Sequence, residues 1–487
     1  MIRFRVCFFL WIITISITLN GHADQIDEKG TGEVRHIYTL DECIQLALDH
    51  HVRQQISRES RHIAVSQRKQ VLSAYWPQFR ASALYSITDE KPTFIFPESS
   101  IELPAEFSTL LSSLGFDMSA IQVPEQHINL MDNQNLAASM QLTLPIYTGG
   151  IRTALKKQAV YGIEIAENEM EQTNCEIIRD VKKYYYAVIL AGNLLAVAQE
   201  TFERLNATLD LTEALYKNGS GRVKKTDYLK NKLIVDNVKM MVLELEKNRE
   251  LARAALQFSM GLPWNEHVKP AEHGIPYKEL HDNLELYIDR MLSENLDLQK
   301  IALAIRIFDQ KVKESKGYLL PHIGLVGQYT RLFNDYRDGM MTPQNKEIWM
   351  AGLGINYSFF NGFRFRNKIR EDESRLSQLR YQYEFFKKGL TLLVQTHFRQ
   401  LITAQHGIEI AKNVHKTSLE NLDLVKKAYQ IEVLTEKDLI EAQIIEALMR
   451  ARLEKSFYDH YQMRADLEFI LAEQVADFTK RHSLENN

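Results

Sequence analysis

Cysteine, proline and runs of a single charge are scarce in this 487-residue chain, and each shortage removes a class of protein. Three cysteines are too few for a disulfide scaffold. Lys and Arg number 59 against 63 Asp and Glu, with no basic stripe to follow a phosphate backbone, so no nucleic acid is expected as a partner. Neither a glycine-rich phosphate loop nor a G-x-S-x-G nucleophile sequence is present. His50-His51 reads as a solvated pair on a helix, and His267, His273 and His281 lack the close spacing of a metal site. The inventory therefore predicts no catalytic residue, no metal and no cofactor.

Long apolar runs are missing too, with one exception. Residues 1–23 carry Arg3 and Arg5, then fourteen residues from Val6 to Leu19, then Gly21-His22-Ala23, which is the layout of an export signal peptide and its cleavage site. The apolar run is too short to remain as a membrane anchor. Its removal takes Cys7 away and leaves 57 basic against 63 acidic side chains, a net charge of −6. Cys43 and Cys175 remain, on separate predicted helices, and read as buried small apolar groups.

The eleven prolines are unevenly placed. Pro92, Pro97, Pro104 and Pro124 crowd one segment, while none falls between Pro145 and Pro263. That contrast belongs to a chain that contains itself twice. Ile44, Leu48, Val52, Pro77 and Tyr85 match Ile288, Leu292, Leu296, Pro321 and Tyr329 at a constant separation of 244. Gly149 and Tyr216 match Gly362 and Tyr429 at 213, and Asp227 and Leu256 match Asp438 and Leu467 at 211. The first copy, 24–260, thus carries 31 extra residues in the proline-rich segment relative to the second, 278–487. Each copy reads as helix, strand, loop, strand, long helix, turn, helix. The extra segment is expected as an irregular loop on the outer side of a membrane, with a small inserted subdomain as the alternative.

Four strands are predicted, over 78–88, 135–144, 322–330 and 349–358. "NLAASMQLTL" shows the pattern: Leu136, Ala138, Met140, Leu142 and Leu144 alternate with Asn135, Ser139, Gln141 and Thr143, Ala137 being the exception. Phe79, Ala81, Ala83, Tyr85 and Ile87 do the same in the first strand, and Trp349, Ala351, Leu353, Ile355 and Tyr357 in the fourth. Aromatic residues gather at strand ends, among them Tyr75, Trp76, Tyr147, Phe359 and Phe360. Alternating ten-residue strands with aromatic ends fit a transmembrane barrel wall. Four such strands cannot enclose a lumen, so several subunits must share one barrel.

From Gly150 onward the chain becomes helical without interruption. Val181, Val188, Leu195, Phe202, Leu209 and Tyr216 recur every seven residues, and Tyr184, Ala191, Ala198, Leu205 and Thr212 hold the partner position, which makes a coiled-coil seam. A helix from Gly150 to Tyr216 spans roughly 100 Å at 1.5 Å per residue. Such a chain crosses a membrane as strands and a wide aqueous compartment as helices.

With this tandem repeat, "YTLDECIQLALDHHV" at its entry, "LPIYTGGIR" and "SFFNGFRFR" at the strand-to-helix junctions, and "YKNGSGRVKKTDYL" and "YQIEVLTEKDLIEAQ" at the far turns, the sequence resembles the TolC family of outer-membrane efflux and secretion channels. The resemblance implies a mostly α fold with a membrane β-barrel part: a homotrimer whose four strands per chain build a 12-stranded barrel above a periplasmic α-helical tunnel. It places the connection 261–277 in an equatorial region. It implies an outer membrane location in a Gram-negative bacterium, contact with outer-membrane lipid, and partnership with a periplasmic adaptor (membrane fusion) protein and an inner-membrane transporter in tripartite efflux or type I secretion. In that family the far turns form a gate. Carried over by position, the gate tyrosine is Tyr429, its acceptor is Asp227, and the two ring-forming acids are Asp438 and Glu441. Leu434 stands where the family has a basic lock residue. Gly149, Gly150 and Gly362 mark the strand-to-helix junctions.

Two other classes explain part of the pattern. An exported structural coiled coil would account for the heptads, and a periplasmic adaptor for export and helices, but neither needs four alternating strands in a duplicated chain. Membrane fractionation separates these readings. The barrel reading expects the protein to stay with outer membranes through a high-salt wash and mild detergent, and its release into the soluble fraction would rule that reading out.

Overall fold

The computed structural model describes residues 36–91, 93–130, 133–218, 223–266, 268–280, 283–333 and 346–472. The predicted signal segment 1–23, together with His267 and His281, lies outside them. In chain order the first half contains β1 (His36–Tyr38), α1 (Leu40–His50), α2 (Val52–Ser73), β2 (Gln78–Ile87), β3 (Thr93–Phe96), β4 (Ser99–Glu102), α3 (Ala105–Ser113), β5 (Ala120–Val123), β6 (Gln126–Asn129), β7 (Gln134–Thr148), α4 (Ile151–Lys217) and α5 (Lys225–Met260). The second half contains β8 (Val268–Pro270), α6 (Leu284–Glu294), α7 (Leu296–Gly317), β9 (His322–Leu332), β10 (Glu347–Asn356), α8 (Arg364–Gln430) and α9 (Glu436–Ile470).

Local chemistry sets the helix ends in both halves. Thr39 and Glu42 exchange side-chain and backbone bonds in a capping box that starts α1. His51 ends α1 and caps α2 through Nδ1, which accepts from the Arg53 N–H. Asn295 does the same between α6 and α7, its Oδ1 accepting from the Leu298 N–H at 2.9 Å. A bend at the same place in each copy keeps each helix pair on the face of the long helices.

Four strands form one antiparallel sheet in the order β10-β9-β7-β2. The register places Phe79 opposite Leu142, Leu142 opposite Gly327, and Gly327 opposite Ala351, so the predicted alternation in each strand merges into one apolar face. The other face is polar: the Ser82 and Ser139 hydroxyls, directly opposite each other, share a 2.8 Å hydrogen bond. Among the described residues no helix is long and apolar enough to cross a membrane. Both outer edges of the sheet, on β2 and β10, lack a strand partner among the described residues.

Several strand limits differ from the sequence reading, each for a reason visible in the register. β7 runs from Gln134 to Thr148 and so passes through Pro145, where 135–144 was expected. Proline has no N–H to give a ladder, but β2 pairs only as far as Thr143, and a register shift between Pro145 and Tyr147 absorbs the defect against β9. β10 occupies 347–356 in place of 349–358, because Asn356 already pairs with His322 at the start of β9 and Tyr357 and Ser358 have no partner residue on that strand. The extra segment of the first copy is not the irregular loop expected. β3 pairs with β6, β4 pairs with β5, and α3 lies between the two hairpin arms. Pro97 and Pro124 fall at the breaks between paired arms and Pro104 caps α3, so the prolines punctuate this structure.

The strand-to-helix junction is tight. Gly149 and Gly150 both take positive φ, and a side chain at Gly149 would run into the carbonyl of Gly317 at the end of α7. Arg152 locks the crossing by donating to the Ile146 carbonyl at 2.6 Å and lying 4.6 Å over the Tyr75 ring. In the second copy Gly362 has φ +63 and Phe363 φ 63 at the start of α8.

Two 67-residue helices, α4 and α8, form the long axis, paired respectively with α5 and α9. Val181, Val188 and Leu195 are buried as the heptads require, and their counterparts 213 residues on, Val394, Leu401 and Ile408, are buried as well. The interior divides into separate clusters. Cys43, Ile44, Tyr185, Leu256 and Met260 belong to one, and Met291, Val394, Leu401 and Leu467 to another. Cys43 and Cys175 are buried and form no disulfide. The short parallel pair β1 and β8 joins the first cluster: the Tyr185 hydroxyl donates to the Tyr38 carbonyl and accepts from the Ala271 N–H.

Repeat partners in separate clusters should behave independently. Leu256→Ala and Leu467→Ala, at 0% and 2% exposure, are each expected to cost about 2–5 kcal/mol and to add within about 0.5 kcal/mol when combined. Denaturant unfolding of the detergent-solubilised protein measures this, and strong non-additivity would show that the two halves share one core.

Candidate functional site

The predicted gate residues lie at the far end of the long helices, where α4 turns into α5 and α8 into α9. The α8–α9 turn closes through Glu432, which adopts φ 63, while the Val433 N–H bonds back to the Ala428 carbonyl at 2.9 Å. α9 then starts with a capping box: the Asp438 carboxylate accepts from the Thr435 N–H at 2.8 Å and from its hydroxyl at 2.5 Å. These bonds hold the Asp438 carboxyl below its ordinary range. Asp227 occupies the equivalent place in α5, accepting from the Lys224 N–H at 3.3 Å.

Between the two turns lies a cleft of about 1270 Å³. Tyr429, Asp227, Leu434 and Glu441 all line it, so the structure brings these four predicted residues to one place. Asp438 sits on the same turn but is taken up by its own helix start. The resemblance implied a Tyr429-to-Asp227 hydrogen bond, and among the described residues the single subunit contains none. Burial, followed by the charge of Glu436, raises the Tyr429 phenol above its ordinary value, so its hydroxyl keeps its proton. Leu434 contributes only an apolar wall, and the basic groups lining the cleft are Lys230 and Lys437. Gly149, Gly150 and Gly362 are at the opposite ends of α4 and α8 and belong to the junction, not to the cleft.

Sequence reasoning missed Glu436 and Asn231. The Asn231 side chain, 8% exposed, donates from Nδ2 to Glu436 Oε1 at 2.5 Å and to Thr212 Oγ1 at 3.4 Å. Thr212 passes the chain on by donating to the Thr208 carbonyl. Glu436 is pushed up to about 7, mainly by burial and further by the charge of Asp227, against the lowering effect of the Asn231 bond. One signal was available in the sequence: Thr212 is a polar residue in an otherwise apolar heptad seam, and it is fully buried.

Above this cleft a row of polar contacts ties α4 to α9. Lys182 meets Glu468 at 3.5 Å, Asn193 meets Glu454 at 2.8 Å, Glu200 meets Arg450 at 2.6 Å and Arg204 meets Glu446 at 2.9 Å. His415, which takes the heptad position of Phe202 in the second copy, lies 3.6 Å from the same Glu446. Among the described residues no group of His, Cys, Asp and Glu could hold a metal ion.

Residues 113–262 and 287–473 match the family model described as outer membrane efflux protein. The chain belongs to that family. It is an outer-membrane efflux channel rather than an enzyme, with a barrel of strands and a helical tunnel on the periplasmic side. Its fold is similar to the outer membrane protein VceC of Vibrio cholerae, with a TM-score of 0.68 at 15% identity over 89% of this chain and 96% of the other. It is also similar to the CmeC outer membrane channel of Campylobacter jejuni, with a TM-score of 0.67 at 13% identity over 92% and 89%. The open state of the Neisseria gonorrhoeae MtrE outer membrane channel gives a TM-score of 0.67 at 15% identity over 89% and 88%. No curated protein sequence gives a match.

Proposed function

We propose that this efflux channel works as a homotrimer and as the exit duct of a tripartite efflux or type I secretion assembly. The observation that carries this reading is a four-stranded sheet with open edges on β2 and β10, continuous with two helices of 67 residues each. Pairing of β10 on one subunit with β2 on the next, repeated three times, gives twelve strands and leaves no edge in lipid. At about 1.5 Å per residue the helices extend the lumen by roughly 100 Å, enough to bring it to partners across the periplasm. Those partners are a periplasmic adaptor and an inner-membrane transporter, which supplies the energy, because the channel carries no chemistry of its own.

Tyr429, Asp227, Asp438 and Glu441 form the periplasmic gate in this reading. What supports it is their convergence on two neighbouring turns at the end of the helices away from the sheet. Asp438 and Glu441 are three residues apart on α9, so a trimer presents six carboxylates within one helical turn around the axis. A ring of this kind concentrates cations at the entrance. With Leu434 in the lock position, closure depends on packing across the turns more than on an ion pair.

Native mass measurement in detergent is expected to give three chains per particle, and a stable monomer with a conducting pore would sink the architecture. In planar bilayers Asp438→Asn combined with Glu441→Gln is expected to reduce both cation preference and block by multivalent cations. Unchanged selectivity and block would remove these acids from the constriction.

A further inference from the structure

Glu436, at the start of α9, meets α5 where Glu446, Glu454 and Glu468 further along α9 meet α4. Three rungs above it pair an acid with Lys182, Arg450 or Arg204 and a fourth pairs Glu454 with the Asn193 amide, whereas Glu436 receives an amide N–H from Asn231 and also has a second acid, Asp227, acting on it. It is also half-buried, in the cleft between the two turns. The titratable groups that line the cleft with it are Asp227 and Lys230 from α5, Tyr429 from α8, Glu432 from the intervening turn, and Lys437 and Glu441 from α9 itself. Of these charges, Asp227 is the one that bears on the Glu436 carboxyl. Across the contact, Asn231 is held in place by Thr212 of α4, so Glu436 is the one ionisable group in the Thr212, Asn231 and Glu436 chain that joins the two helical hairpins.

We propose that Glu436 is a proton-operated latch: in its neutral form the start of α9 stays seated on Asn231, and in its charged form the two hairpin tips part and the entrance opens. The step is a proton exchange with solvent at the Glu436 carboxyl, with no other bond made or broken beyond the Asn231 contact. The latch rests on the reading of this end as the channel entrance, but its own behaviour can be measured locally.

The sign follows from linkage. Seated, the carboxyl titrates at about 7, whereas parted and in water it returns toward its ordinary value of 4.5. The seated form therefore binds the proton more tightly. Its advantage is complete below the ordinary carboxylate value, declines as pH rises, and is lost once pH passes about 7. A shift of that size corresponds to a ratio of roughly 300 for a fully enclosed group, and solvent screening of a half-buried one reduces it, so about tenfold is expected between pH 5 and pH 8.

Hydrogen exchange of the full-length protein in detergent, corrected for the intrinsic pH dependence of exchange, reads this directly. Protection of residues 227–235 and 436–445 is expected to fall about tenfold from pH 5 to pH 8 in the natural protein. Glu436→Gln, isosteric and uncharged, is expected to keep the pH 5 protection at both values. Unchanged protection at residues 177–189, in the first core cluster, shows that the variant is folded. Equal protection of the natural protein at both pH values would overturn the latch, as would a fall that persists in Glu436→Gln. If the local protection behaves as expected while single-channel opening is the same at pH 5 and pH 8, the latch stands and the placement of the gate at these turns fails.

Discussion

A sheet edge cannot be left open in hydrocarbon, and most of this architecture follows from that restriction. Each unpaired N–H or C=O in lipid costs several kcal/mol, so the edges of β2 and β10 require strands that one chain does not supply. The two sheet faces are consistent with the same environment. Phe79, Leu142 and Ala351 share the apolar side, and the Ser82–Ser139 pair lies on the other. Neither face packs on a core of its own subunit.

The helices begin where the strands stop, and the junction passes the direction of the sheet to the tunnel. Gly149 comes so close to Gly317 that a β-carbon would have no room, and Arg152 bridges the Ile146 carbonyl and the Tyr75 ring. Below the junction the packing becomes that of a coiled coil, with equivalent positions such as Val181 and Val394 both fully buried. Toward the far turns the hairpins meet through both an apolar cluster, Leu205, Val235 and Ile440, and polar contacts. His415 replaces the aromatic residue of the first copy beside Glu446, and the last link is the Thr212, Asn231 and Glu436 chain.

The sequence made the period-two strands and the period-seven seam legible because each pattern repeats over many residues and is set by one buried or lipid-facing side. The continuation of β7 through Pro145 was hidden because proline normally ends a ladder, and only the shorter reach of β2 makes it tolerable. β3 to β6 were hidden for another reason: strands of four residues carry too little alternation to stand out among prolines. At the turns, Asp227 and Asp438 could be placed from the repeat because helix-start acids recur locally. Glu436 could not, since the atom that engages it belongs to Asn231, 205 residues earlier.

The pairing of β7 with β9 unites the two copies within one chain, and in the proposed trimer β10 with β2 would be its counterpart between chains. A wall of twelve strands built from two-stranded units has six such seams. Duplication places three of them inside single polypeptides, where the loop and helices linking the halves raise the effective concentration of one strand near its neighbour. Only the other three seams then depend on how many copies of the protein the membrane holds. The tandem repeat therefore acts on assembly kinetics, halving the order of encounters needed to close the pore without adding a contact to the finished barrel.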